Sequence, residues 1–429
     1  MNKNTLIVGF MLFAVFFGAG NLIFPPKLGF ESGEHFWFAI SGFILTGVGL
    51  PLVATIVAAC YDGGYKKALE NISPLISLIL LSAIYLTIGP FFAIPRTGAT
   101  AYDMVIVPFL EKPDATSLLI FTACYFGLAL WLSLNPNKMI DRIGAILTPA
   151  LLIAIIVLVI RAVMLFSETE IRETNAFHTP FFTGFLDGYQ TMDALAAFAF
   201  SVLVINGIKA KSRHDGNDLV KQTAYAALVA AFALAVIYIA IGWIGYKIPL
   251  TVETANAVVA KGQNLGTYIL NETAMQAFGE LGRSVLGLIV TLACLTTAIG
   301  LIVATSAYFH SILPRIAYKT YAVVFTLIGF GLANQGLNAV IGKAIPVLLV
   351  LYPVAMTALL ALSVNLLLPL PKAAQGAAIV SVGLIAAFSI GGAEWTVQLP
   401  LKSYSMEWVP FAVIGGIVGY VWAKIKQSE

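Results

Sequence analysis

Charge is scarce in this 429-residue chain: aspartate, glutamate, lysine and arginine make up 10% of it, against roughly a quarter in an ordinary soluble domain. With 59% of residues hydrophobic, so little charge excludes a water-exposed globular surface and reads as an integral membrane protein. Long polar stretches are also missing, so no large soluble domain fits between the apolar runs. Cysteine is rare. Cys60, Cys124 and Cys294 lie in or at the ends of apolar stretches without paired spacing, which excludes a disulfide framework or zinc site and implies buried free thiols. The histidines His35, His178, His214 and His310 include no i, i+4 pair, so no metal pair or hydrolytic triad is offered. Basic clusters are too short, and too poor in interleaved aromatics, to suggest nucleic acid.

What the chain does contain is a succession of apolar segments of about 20 residues, enough to cross about 30 Å of hydrocarbon. The first begins at Thr5 after one lysine and has no small-residue cleavage site, so a retained helix rather than a removed leader is expected. Spans are expected near 5–30, 36–59, 73–100, 117–134, 141–165, 184–207, 219–246, 283–309, 318–333, 343–367, 373–391 and 408–425. The predicted fold is therefore an all-α membrane protein with about twelve transmembrane helices. Alternate links carry Lys66 and Lys67, Lys138 and Arg142, Lys209, Lys211 and Arg213, Arg315 and Lys319, Lys372, and Lys424 and Lys426. The opposite links are acidic, with Glu31 and Glu34, Glu111 and Asp114, Glu168, Glu170 and Glu173, Glu253, Glu272 and Glu280, and Glu394 and Glu407. The positive-inside rule then puts both termini in the cytoplasm.

"FFGAGNLIFPP", Phe16 to Pro26, interrupts the first span. Pro25 and Pro26 cannot donate to the carbonyls of Asn21 and Leu22, and an orphaned carbonyl is expensive in hydrocarbon. A helix that stops near Phe17 and restarts near Leu22 would place both prolines in a first turn, where a missing N–H costs nothing. The break would expose carbonyls at Ala14 to Phe17 and N–H groups beyond it, one end favouring cations and the other anions. Gly18 and Gly20 permit close backbone approach, and Asn21 adds an acceptor and a donor. The competing reading is a continuous, proline-kinked helix with glycines for packing.

A second interruption, "DGYQTMDALAAF", opens the sixth span with Gln190, Thr191 and Asp193. An aspartate near a helix centre costs roughly 2.5–3.5 kcal/mol on insertion scales. Asp193 is thus expected to face protein, water or a cation, either as a ligand-contacting group or as a structural carboxylate, with Asp187 solvated nearer the surface. In "ACLTTAIG" of span eight, Thr296 and Thr297 could join the Ala293 carbonyl in an oxygen cluster for a small hard cation, or simply bond back to their own helix. Arg96 is expected near the outer end of span three with no assigned role, and Tyr85 either lines a pocket or packs. Interruptions at the openings of spans one and six mark paired units, residues 1–165 (helices 1–5) and 184–367 (helices 6–10), with 368–429 supplying helices 11–12. Since five is odd, the two units enter the membrane from opposite sides, the pattern of an inverted-repeat transporter with its site at the midplane.

At "FFGAGNLIFPPKLG", "IGPFFAIPRTGAT", "GYQTMDALAAFAF" and "LACLTTAIGL" the chain closely resembles the branched-chain amino acid:cation symporter family, the BrnQ-type bacterial carriers, over nearly its whole length. The resemblance implies a LeuT-type fold, a five-plus-five inverted repeat with discontinuous helices 1 and 6 and two C-terminal helices. It also implies Na⁺-coupled uptake of leucine, isoleucine and valine across the bacterial inner membrane. By the same resemblance the substrate's carboxylate meets Gly18, Ala19, Gly20 and Asn21, and its ammonium the break at Gln190, Thr191 and Met192, beside Asp193. The sodium ligands it implies are the carbonyls of Ala14, Phe17 and Ala293 with the hydroxyls of Thr296 and Thr297, and a second cation position lies near Phe16 and Asn21. Ser201 stands where the pattern leads one to expect glycine. Membrane lipids and the small-molecule substrate are the partners implied, with no organic cofactor, no nucleic acid and no obligate protein partner. Alternatives are a proton-coupled or broader neutral amino acid carrier and, from other classes, a channel or a membrane-embedded enzyme. For the enzyme the sequence offers only scattered acids, and for a wide aqueous pore the spans hold too few charges.

Overall fold

The computed structural model describes residues 3–110, 113–134, 138–173, 179–200 and 217–428. Regular structure among them is helical, without strands. In chain order the helices are α1 (Lys3–Phe16), α2 (Ala19–Ser32), α3 (Phe36–Ile44), α4 (Leu50–Ala59), α5 (Gly64–Ile72), α6 (Pro74–Leu86), α7 (Ala93–Val105), α8 (Ala115–Ser133), α9 (Lys138–Phe166) and α10 (Pro180–Tyr189). They continue with α11, described over 193–200, then α12 (Asn217–Lys247), α13 (Val252–Ala260), α14 (Leu265–Ile312), α15 (Tyr318–Ala333), α16 (Leu337–Leu367), α17 (Lys372–Ile390) and α18 (Trp408–Ser428). The twelve expected spans coincide with helix, the sixth as far as residue 200. Ser201 and most of the basic link after it lie outside the described residues.

Among the described residues nine helical stretches are long and apolar enough to cross a membrane, and Thr5–Phe16 and Tyr318–Ala333 are shorter apolar helices. Several spans are not straight. Leu45–Gly49 and Thr87–Phe91 are π-helical turns, the latter containing Gly89, with non-helical dihedrals, and Pro90. Such wide turns arise where the regular hydrogen-bond ladder is interrupted, and they redirect the helix beyond. The span containing α14 reaches further than hydropathy indicates: its first arm precedes a bend at Gly279, whose φ of +68° suits glycine alone. The link between α12 and that bend therefore holds two helical segments, α13 and the first arm of α14.

Small residues set the helix spacing. A Cβ on Gly29 would lie 1.9 Å from the Gly242 carbonyl oxygen, and one on Gly245 only 1.8 Å from that of Pro26, so α2 and α12 touch backbone to backbone. Gly184 meets the Ala39 carbonyl just as closely, pressing α10 onto α3. In lipid, where tails are as apolar as leucine, such close contact rather than hydrophobic exclusion drives helix association. The link between α9 and α10 is pinned as well. Arg172 donates to the carbonyls of Ile248 (2.7 Å) and Gly245 (2.7 Å) at the end of α12 and lies 4.1 Å over the Phe30 ring. Burial pulls its guanidinium down to about 10, while the bonds satisfy carbonyls that a helix end leaves open. Of the cysteines, all free, Cys294 is buried but Cys124 is exposed, contrary to the expectation of burial, because it lies on the exposed face of α8 with Ile120, Leu128 and Trp131.

Candidate functional site

The first span is severed. α1 ends at Phe16, Phe17 N–H closes a last bond to Phe13 (2.8 Å), and Gly18 is extended. Asn21 Oδ1 accepts from the Gly18 N–H at 3.2 Å, capping the new helix so that α2 starts at Ala19 rather than near Leu22. The prolines are consequently a turn deeper than expected, inside α2. The carbonyls of Asn21 and Leu22 receive no bond from the residue four positions on, and the break gains backbone acceptors that a first-turn placement would have spared.

The sixth span breaks between α10 and α11. Thr191 N–H reaches back to Gly188 (3.3 Å), Met192 N–H to Tyr189 (3.1 Å), and Met192 then takes a left-handed φ of 64° before helix resumes at Asp193. A buried methionine in that conformation costs of order 1–3 kcal/mol, and it swings Asp193 toward the first break. Asp187 is half-buried rather than solvated.

The two breaks meet. Asn21 Nδ2 donates to Asp193 Oδ2 at 2.7 Å and also to the Tyr238 hydroxyl of α12, which itself donates to Asp193 Oδ2 at 3.0 Å. Asn21, Asp193 and Tyr238 are 1%, 3% and 0% exposed, so these bonds form away from water and outweigh their surface equivalents. Tyr238 is a site residue that the sequence reading missed; one tyrosine in an apolar run is ordinary packing, and nothing local marks it. Arg96, expected at a helix end, is instead buried in mid-structure, because the turn at Gly89 and Pro90 carries α7 back toward the breaks. Its Nη1 donates to the Gln190 carbonyl (2.5 Å) and its Nη2 to that of Thr191 (3.3 Å).

Residues 1–426 match a family described as branched-chain amino acid transport protein. The chain belongs to that family. It is 48% identical to a relative from Staphylococcus epidermidis named a branched-chain amino acid carrier protein, covering 100% of this chain and 99% of the relative. A Staphylococcus aureus relative with the same designation is also 48% identical, over 100% and 98% of the two chains. In fold the carrier is similar to Mhp1, a nucleobase-cation-symport-1 family transporter solved in a closed conformation with bromovinylhydantoin bound: TM-score 0.62, 14% identity, 98% of this chain and 92% of that one. It is likewise similar to MhsT in complex with L-phenylalanine, with TM-score 0.58, 16% identity and 98% of both chains. The fold is thus the LeuT type, with discontinuous first and sixth spans, and the carrier is a membrane transporter, not an enzyme.

In the carrier Thr297 of α14 lies against the first break. A Cβ on Gly18 would sit 3.6 Å from Thr297 Cγ2. Both hydroxyls donate to the Ala293 carbonyl, Thr296 at 2.8 Å and Thr297 at 3.0 Å, the back-bonding that threonine commonly makes in membrane helices. Those bonds come on top of the Thr297 backbone N–H that the helix directs at the same carbonyl, and they leave the hydroxyl lone pairs free to face elsewhere. Ala14, Gly18, Ala293, Thr296 and Thr297 are half-buried, whereas Phe17, Ala19 and Gly20 are buried. Tyr85 packs: its ring stacks on Tyr308 at 4.0 Å and its hydroxyl donates to the Ala199 carbonyl.

Proposed function

We propose that the carrier is a Na⁺-coupled symporter of leucine, isoleucine and valine, working by alternating access in the bacterial inner membrane with both termini cytoplasmic. The observation that carries this reading is the junction of the two helix breaks through Asn21, Asp193 and Tyr238, with Thr297 against the first of them. Broken helices present unpaired amides and carbonyls together, and a zwitterion needs both. In this reading the carboxylate is met by the amides of Gly18, Ala19, Gly20 and Asn21, and the ammonium by the acceptors at Gln190, Thr191, Met192 and Asp193. Sodium uses the carbonyls of Ala14, Phe17 and Ala293 and the hydroxyls of Thr296 and Thr297, trading one of the donations to Ala293 for its own attraction to that oxygen.

Residues 1–165 and 184–367 are the repeats that rock about this site, and 368–429 flank them. Sodium in the joint between α1 and α14 stabilises the arrangement that receives substrate. One positive charge moved inward through 100 mV supplies about 2.3 kcal/mol, roughly fifty-fold accumulation, before any sodium gradient is added. An apolar pocket separates side chains differing by one methylene by only about 1–3 kcal/mol, so all three branched-chain amino acids are substrates. The test is radiolabelled leucine uptake into proteoliposomes under separately imposed sodium, potassium and proton gradients. Sodium alone is expected to drive accumulation, with isoleucine and valine competing. Uptake indifferent to sodium but driven by protons would replace this mechanism with proton coupling through Asp193.

A further inference from the structure

Arg96 and Asp193 are opposite charges buried beside the two breaks, and among the described residues neither has an ion-pair partner within 4 Å. Each is held by neutral groups, Asp193 by an amide and a phenol and Arg96 by two backbone carbonyls. The two lie in each other's field without touching, and buried charges that make no direct ion pair are costly in a membrane and occur where they serve a ligand or a pathway. Arg96 is 5% exposed, and of its five N–H donors the one on Nε has no partner among the described residues. The guanidinium lies against the start of α2: a Cβ on Gly20 would come within 2.8 Å of Nη2 and 3.0 Å of Cζ, so a side chain there would push the guanidinium aside. The guanidinium therefore lies beside the first turn of α2, whose leading N–H groups have no carbonyl partner within the helix. The second break also carries acceptors, the Asp193 carboxylate and Gln190 Oε1, which is buried without a hydrogen-bond partner among the described residues.

We propose that Arg96 is a substrate-binding residue that receives the carboxylate of the amino acid, while Asp193 receives its ammonium. The inference rests on the reading that this site binds an amino acid, and it refines that reading. The Gln190 and Thr191 carbonyls are engaged by the guanidinium, which leaves Asp193 as the principal partner of the ammonium. A planar guanidinium matches a carboxylate with two parallel bonds. The site thereby selects the α-amino acid over its amide, which keeps the ammonium but carries no negative charge.

The test is equilibrium binding to the purified full-length carrier in lipid nanodiscs with three pairs: leucine and leucinamide, alanine and alaninamide, phenylalanine and phenylalaninamide. The wild type is expected to prefer the acid in each pair that binds by about 100-fold, the discrimination of a desolvated charge pair. Arg96→Gln is expected to bring the ratio within about threefold, chiefly by losing acid affinity, and Arg96→Lys to retain part of it. Thermal unfolding of each variant is followed alongside. Should Arg96→Gln not fold, the fall in ratio in a stable Arg96→Lys decides. An unchanged ratio, or equal losses for acid and amide, would overturn the proposal and make Arg96 a pin for the second break. If the wild type binds another pair but not leucine, the branched-chain reading fails while that pair still decides the role of Arg96; binding of none overturns both.

Discussion

Replacing Asp193 by asparagine keeps the shape of the junction and removes its negative charge. Its Oδ2 accepts from Asn21 at 2.7 Å and from Tyr238 at 3.0 Å. Bonds to a charged group contribute about 1.5–3 kcal/mol and neutral ones about 0.5–1.5, so weakening two of them costs about 2 kcal/mol. Against that, asparagine relieves the cost of a carboxylate at bilayer depth, about 2.5–3.5 kcal/mol on insertion scales. The terms nearly cancel, and the stability of the fold is expected to move by no more than about 1 kcal/mol. Binding has no such compensation. An ammonium deprived of its buried counter-charge loses about 2–5 kcal/mol, at least about 30-fold in affinity. Asp193→Ala differs, because it strands the Asn21 amide and the Tyr238 hydroxyl at about 1–3 kcal/mol each, so it should unfold before both the wild type and Asp193→Asn. The assay is scintillation-proximity binding of radiolabelled leucine, with thermal unfolding measured on the same detergent-solubilised samples. Leucine binding by Asp193→Asn within about threefold of wild type would refute the reasoning. So would a binding loss matched by a collapse in stability, which would make Asp193 a structural carboxylate.

Thr297→Val removes a hydroxyl 3.0 Å from the Ala293 carbonyl; the sodium concentration for half-maximal leucine uptake is expected to rise about tenfold, since a hard cation loses an oxygen ligand, and an unchanged sodium dependence would remove Thr297 from the ion site. Gly29→Ala forces a methyl into the Gly242 carbonyl and should cost about 1–3 kcal/mol or more, seen as lost monodisperse protein in fluorescence-detected gel filtration, whereas Gly300→Ala, with open space around it, should be neutral. In the segment before α18, Glu407 accepts from Lys402 at 2.8 Å and from the Ser389 hydroxyl. Burial disfavours its charge, but these bonds outweigh that and hold the carboxyl below its ordinary value of 4.5. A lowered carboxylate pKa stabilises above the ordinary value, and the contribution is lost as pH falls through the folded one. Glu407→Gln should therefore lower thermal stability at neutral pH by about 1 kcal/mol, and the gap to wild type should close below pH 4.5 in a melting series; a gap that persists in acid would contradict the ion pair.

The junction also ties the two helix breaks to each other. Asn21 caps the second half of the first span and at the same time binds Asp193 at the restart of the sixth. One side chain therefore bonds to both breaks.

Much of this molecule was legible as a string of residues, because the deciding physics is local. Whether a segment enters hydrocarbon depends on its own apolar length, so the twelve spans could be placed to within a few residues except where π-helical turns and the bend at Gly279 stretched or redirected them. The interruption at Phe16 to Pro26 was equally plain, since proline and glycine act on their own backbone. Where helix resumed was not. Asn21 caps Gly18 with its amide held by Asp193 and Tyr238, which lie 172 and 217 residues further along. Arg96 looked like a helix-end cation because nothing near it in sequence reveals the Gln190 carbonyl, 94 residues away, to which it is bonded. Span, break and ligand chemistry follow from neighbours in the chain, whereas the partner of a buried polar group is set by whichever helix packs beside it, and that choice exists only once the bundle has closed.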